Sequence, residues 1–271
     1  MAWLRPKKFP TYFDYFIDSY SRNTKTSLKI FTNVACSPYI KKYQDSSIGF
    51  HQFSLKKMFN LFKDKLAISG YDYDQYRAYK MCDFRPAFGE IFSEYLEGFD
   101  YWGYIDIDVI VGNLDRFLTA EKLADYDVIS GGRNNLTGYM TLYRNTEAIN
   151  SLYKKSPDYL RVINSPQNFR FDENGGKRNI IAMEQLIRNN NIPIRYLNCV
   201  HNDFGKINSS IDNNSREWIY DYNDGMLIDR LTKEEIAMFH FMQGKASQNF
   251  TFQKFRHSSS FSISPQGLHY S

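Results

Sequence analysis

Asp106 and Asp108 are the residues of this 271-residue chain whose types and spacing carry the clearest chemistry. They lie in Tyr101-Trp-Gly-Tyr-Ile-Asp-Ile-Asp-Val-Ile-Val111, an apolar run that reads as a buried strand. Side chains alternate faces along a strand, so the two carboxylates point one way while Ile105 and Ile107 point the other. Neighbouring carboxylates repel, and burying them unpaired is costly. A divalent cation, Mn2+ or Mg2+, answers both problems, because hard oxygen ligands suit it and substrate phosphates complete its shell. The spacing alone is weak evidence, since Asp72/Asp74 and Asp125/Asp127 repeat it. Context sets Asp106/Asp108 apart: an apolar helix precedes them and apolar residues flank them. The plain alternative is a strand end whose acids face solvent.

The elements that must position this pair follow a mixed pattern. Residues 9–20 read as an aromatic helix and 28–33 as a short strand. Leu55, Met58, Phe59, Phe62 and Leu66 recur at helical spacing within 53–66. Pro86 suits a first helical turn, Phe88, Ile91, Phe92, Tyr95 and Leu96 form one apolar face, and Gly98 suits a left-handed cap. Strands are expected at 127–131, 138–143 and 194–197, with helices near 145–155 and 181–190. This alternation predicts an α/β domain with a mostly parallel sheet flanked by helices. In such sheets the ligand crevice lies beyond the carboxyl ends of the strands.

Composition limits the class. Aromatic residues make up 17% of the chain, which excludes a disordered one, and no apolar run approaches a membrane span. The N-terminus lacks the apolar core of a signal peptide, and Cys36, Cys82 and Cys199 are too scattered for a disulfide framework, so a reducing cytoplasm is expected. A net charge of +4 is too small to argue for nucleic acid as a partner. Residues 245–271 contain no Asp or Glu, while Lys245, Lys254 and Arg256 alternate with Phe250, Phe252, Phe255, Phe261 and Tyr270. They read as a basic, aromatic C-terminal tail beyond a 1–244 domain, suited to peripheral contact with an anionic membrane. Packing of these rings back onto the domain is the alternative.

The segments Tyr79-Lys-Met-Cys-Asp-Phe-Arg-Pro-Ala-Phe-Gly89 and Phe99-Asp-Tyr-Trp-Gly-Tyr-Ile-Asp-Ile-Asp-Val-Ile-Val-Gly112 resemble metal-dependent GT-A glycosyltransferases, which have a Rossmann-like fold. The resemblance is to bacterial cell-surface polysaccharide enzymes. It extends to the first helix, from Phe9 to Asn23, and to Gly138–Asn145 as the strand after the metal motif. It implies that Asp106 and Asp108 form a DxD motif holding Mn2+ or Mg2+ against the diphosphate of a UDP-sugar. Lys80 and Asp83 would contact the nucleotide or donor sugar; Asp83 also suits an N-cap for the Pro86 helix. His240, in Met238-Phe-His-Phe-Met-Gln-Gly-Lys245, would complete the metal shell and Lys245 would meet a phosphate, although Gly244 comes one residue late and Lys245 follows it directly. A satisfied core histidine is the other reading of His240.

Asp172 and Glu173, in the loop Phe171-Asp-Glu-Asn-Gly-Gly176, would line the acceptor side as a base or stabilising carboxylate, whereas paired loop acids commonly face solvent. Asn33 stands where the family often has an acid near the base or ribose, and the first strand is short, with Lys7 and Lys8 at its turn. The activity implied is transfer of a sugar from a nucleotide-sugar donor to a saccharide or lipid-linked glycan, with retention favoured by the His240 segment. The rivals are a haloacid-dehalogenase-like phosphatase using an aspartate nucleophile, and a non-catalytic carbohydrate-binding or scaffold protein.

Overall fold

Leu55–Leu66 is the longest helix among the described residues, and its ends are specified locally. The Ser54 side chain accepts the N–H of Lys57 at 3.1 Å, and Ala67 closes the helix in the left-handed region at φ 53°. Met58, Phe59, Phe62 and Leu66 are buried, as their spacing predicts. The computed structural model describes residues 2–3, 7–75, 77–203, 218–256 and 260–270.

The helix expected from Pro86 onward is instead a chain of short turns. Met81–Phe84 and Phe88–Ile91 are α-helical, while Arg85–Ala87 and Ser93–Tyr95 are 3₁₀ turns. Pro86 has no N–H to give the preceding turn, so the chain tightens there, with the Arg85 N–H bonding Cys82 O. The apolar face survives the break, since Phe88, Ile91 and Phe92 are buried, and Gly98 adopts φ 79°.

Four sheets are present among the described residues. Strands Ala2–Trp3, Leu28–Thr32 and Ile48–Gln52 form a parallel sheet, with the helix Ser37–Lys42 crossing between the last two. Tyr101–Ile105, Met140–Arg144, Val128–Ser130 and Ile194–Tyr196 make a mixed sheet in that order. Val109–Val111, Met238–His240 and Val200–Asn202 make a second mixed sheet. The fourth sheet orders Met226–Asp229, Tyr220–Asn223, Ser260–Ser264, Gly267–His269 and Thr251–Phe252.

The fold is therefore mixed α/β, and the expectation of a mostly parallel sheet is corrected: among the described residues six of the eleven strand pairings are antiparallel. Tight returns account for two of the six. Asp224 and Gly225, at φ 43° and 92°, form a two-residue hairpin turn, and such turns join antiparallel strands where parallel ones need long crossovers.

A second correction concerns residues 245–271. Their described strands belong to the fourth sheet, where Ser260–Ser264 pairs with Tyr220–Asn223 across the expected boundary. Phe250, Phe261, Ile263 and Leu268 are buried in one apolar cluster with Tyr15, Trp218 and Phe239. The Tyr15 ring meets Phe255, Phe261 and Tyr270, and its hydroxyl donates to Gln253 O at 3.0 Å. The aromatic load of this segment is thus spent on packing rather than on an exposed tail. Among the described residues no helix is long and apolar enough to cross a membrane.

Candidate metal centre

The run 101–111 is not one strand. It leaves the four-stranded sheet after Ile105 and enters the three-stranded sheet at Val109, so Asp106 and Asp108 lie on the connection between two sheets. Two main-chain bonds brace that connection: Asp106 N–H donates to Tyr139 O at 2.9 Å, and Phe241 N–H to Asp108 O at 3.1 Å. Strand register supplies the third residue. Met238–His240 runs antiparallel to Val109–Val111 with His240 opposite Val109, which sets the imidazole beside Asp108.

One ligand atom from each of Asp106, Asp108 and His240 lies within 4.8 Å of the others. His240 Nε2 and Asp108 Oδ2 stand 3.1 Å apart, and the Tyr139 ring packs on the imidazole at 4.6 Å. His240 Nδ1 is buried with no hydrogen-bond partner among the described residues, so this is not a satisfied core histidine. Lys245 Nζ donates to Asp108 Oδ2, and Arg85 donates to Asp106 Oδ1. Burial works against charge on Asp108, but His240 and Lys245 hold its carboxyl well below the usual range. Burial pushes Asp106 upward, against the pull of Arg85. Burial and the charges of Asp108 and Asp106 raise the Tyr12 phenol, whose ring packs on Phe241 at 5.4 Å.

The donor set fits a small divalent ion. Ligands of an octahedral ion with bonds of about 2.1 Å stand roughly 3 Å apart when adjacent, close to the His240–Asp108 separation. Two carboxylates and one imidazole are oxygen and nitrogen donors of the kind divalent ions take.

Lys245 is delivered by a turn that Asp203 organises. Asp203 is fully buried and accepts the N–H groups of Gln243 at 2.9 Å and Gly244 at 2.6 Å. Gly244 is required here, since a Cβ would lie 2.6 Å from the Phe250 ring.

Arg85 ties a second carboxylate to the cluster. Its Nη1 donates to Asp172 Oδ2 at 3.0 Å while its other nitrogen holds Asp106. Asp172 is 2% exposed rather than solvent-facing, and burial pushes its carboxyl up to about 7 against the pull of Arg85. Glu173 accepts the Gly138 N–H at 2.9 Å and pairs with Arg170. The acidic loop and the DxD residues therefore share one ion-pair chain.

Lys80 and Asp83 are placed otherwise. Lys80 is fully buried, and its ammonium donates to Asp83, Val162 O and Gln167 O at 2.9, 2.6 and 3.1 Å. All three donors are spent, leaving none for a phosphate. Asp83 accepts the N–H groups of Phe169 and Phe171, each at 2.9 Å, and so clamps that segment rather than capping the Pro86 turn. Asn33 is half-buried, directly after strand Leu28–Thr32.

Arg85, Asp203, Tyr12 and Tyr139 escaped sequence reasoning. Arg85 lies inside the 79–89 segment, and Asp203 directly follows a strand, but neither position by itself names a partner. No curated protein and no solved structure matches the chain. Residues 7–271 match the family model described as Family of unknown function (DUF6625), and the chain belongs to that family.

Proposed function

We propose that the chain is a metal-dependent glycosyltransferase with a GT-A-type donor site. It would move a sugar from a nucleotide-sugar, a UDP-sugar by preference, to a saccharide or lipid-linked glycan, with retention of configuration. The observation that carries this reading is the convergence of Asp106, Asp108 and His240 within 4.8 Å, with Lys245 on the same carboxylate. A bound Mn2+ or Mg2+ would stabilise the negative charge that develops on the departing nucleoside diphosphate.

The chain's own residues supply the rest. Asp106, Asp108 and His240 would hold the ion. Arg85 and Lys245 are cations already aimed at the two carboxylates, and they offset the charge of an arriving diphosphate. Asp172, titrating near neutrality, can hold or release a proton at its Oδ atoms on the far side of Arg85. A cytoplasmic location, where nucleotide-sugars are made, goes with this reading.

Calorimetric titration of UDP in the presence of Mn2+ tests it. Binding should be strong in the wild type and at least tenfold weaker in the Asp106→Ala, Asp108→Ala double variant. Equal UDP affinity in the two would refute the metal assignment. A donor screen by hydrolysis of UDP-, GDP- and dTDP-sugars reads the activity, and turnover of a phosphomonoester in its place would favour the phosphatase alternative.

A further inference from the structure

A cleft of about 510 Å³ lies away from the carboxylate cluster, lined by Arg133, Asn198, His201, Tyr220, Asp229 and Glu234. That volume is within the range of small-ligand sites, roughly 300–1,000 Å³. The cleft flanks strand Val200–Asn202, whose opposite edge pairs with Met238–His240, so Asn202 stands beside His240 in the register. One sheet thus joins the two places.

The floor of the cleft is a fixed polar unit. His201 Nδ1 and Tyr220 Oη are 3.0 Å apart, and Asp229 Oδ2 is 3.8 Å from the same nitrogen. Asp229 Oδ1 is committed to the turn that follows it, accepting the Leu231 N–H at 2.9 Å. The Tyr220 ring is held from below by Phe239 at 4.4 Å. Above this floor the Arg133 guanidinium and the Glu234 carboxylate are exposed, and neither forms an ion pair among the described residues.

The lining selects its ligand by chemistry. A phosphate or other anion would meet two carboxylates, and a cation would meet Arg133. An apolar ligand would strand every polar group it covered, at a cost for each. A neutral polyol suits the mixture, because each hydroxyl both donates and accepts: Asp229 and Glu234 accept, Arg133 donates, and Asn198 does both. We propose that this cleft binds a neutral saccharide, an inference that does not depend on the glycosyltransferase reading.

The test is a glycan array carrying neutral, amino and acidic oligosaccharides, read with the full chain and with three variants. Wild-type protein should bind a subset of neutral glycans. Glu234→Gln and Arg133→Ala, both at exposed positions, should each weaken binding to that subset at least tenfold. The Asp106→Asn, Asp108→Asn double variant should retain it. Retention of glycan by a protein that fails to bind UDP and Mn2+ would support the cleft and overturn only the transferase reading. Absence of any bound neutral glycan, or equal binding by wild type and both cleft variants, would overturn the proposal.

Discussion

Lys80→Met separates a lysine that builds the fold from one that binds a nucleotide. The wild-type ammonium is fully buried and has three acceptors, of which Asp83 is one and two are main-chain carbonyls. Burial pulls it below the usual lysine range, and Asp83 pulls it back. Methionine keeps the chain length and apolar body but leaves Val162 O and Gln167 O without their donor and Asp83 without its counter-charge. Removing one side of a buried pair costs about 3–5 kcal/mol. Asp83 retains the N–H groups of Phe169 and Phe171, so the loss should fall near the lower end, about 3 kcal/mol. With an unfolding entropy of about 2.1 cal/mol/K per residue over 271 residues, that loss lowers Tm by roughly 5 °C. Thermal unfolding followed by circular dichroism measures the shift, and UDP affinity is read at a temperature where both proteins are folded. The expected result is a lower Tm with UDP affinity unchanged. An unchanged Tm with tenfold weaker UDP binding would refute the structural role and restore the nucleotide contact that the sequence suggests.

Two further outcomes concern the residues around the carboxylate cluster. Native Asp172 holds its proton more tightly than the unfolded chain, because burial raises its carboxyl from the ordinary value to about 7, so the stability it contributes is full below about pH 4 and is lost as pH rises to 7. In urea unfolding from pH 4 to 8, the stability of wild type minus that of Asp172→Asn should therefore fall by about 1.4 kcal/mol per pH unit between about pH 4 and 7 and then level off, and a flat difference would sink the assignment. Asp203→Ala removes the acceptor of two buried-turn N–H groups, and should cost roughly 2 kcal/mol while weakening Mn2+ binding through the loosened segment that carries His240 and Lys245. A variant with wild-type stability and Mn2+ affinity would show that the turn does not depend on Asp203.

What could be read in advance was local. Periodicity places Leu55–Leu66 to within two residues, and apolar context singles out Asp106 and Asp108 from the other Asp-x-Asp pairs. What could not be read depended on distant partners. Arg85 meets Asp106 and Asp172 from 21 and 87 positions away, and Lys80 looks the same in sequence whether it holds a phosphate or Asp83. Antiparallel pairing does have a local sign in the sequence: Asp224-Gly225 between two short apolar runs is a hairpin signal, and hairpins make antiparallel pairs. Likewise the Phe residues after Lys245 resemble a membrane-facing pattern until Tyr15 and Trp218, more than 25 residues away in sequence, are found to cover them.

The fold revises the geometry that one continuous strand would give the carboxylate pair. On one continuous strand, Asp106 and Asp108 would share a face about 6.6 Å apart along the chain, with no histidine determined by that geometry. The break after Ile105 changes what the two residues can do. Between two sheets their backbone groups are not committed to a full ladder, so each side chain can turn toward a common point while single bonds to Tyr139 and Phe241 hold the path. The sheet entered at Val109 then brings its own neighbour, and the antiparallel register makes that neighbour His240. A strand that stayed in the first sheet would have presented two acids; a strand that changes sheets presents two acids and an imidazole. The sheet switch is thus what turns a recurring Asp-x-Asp spacing, present elsewhere in the chain at Asp72/Asp74 and Asp125/Asp127, into a cluster that could hold a metal ion.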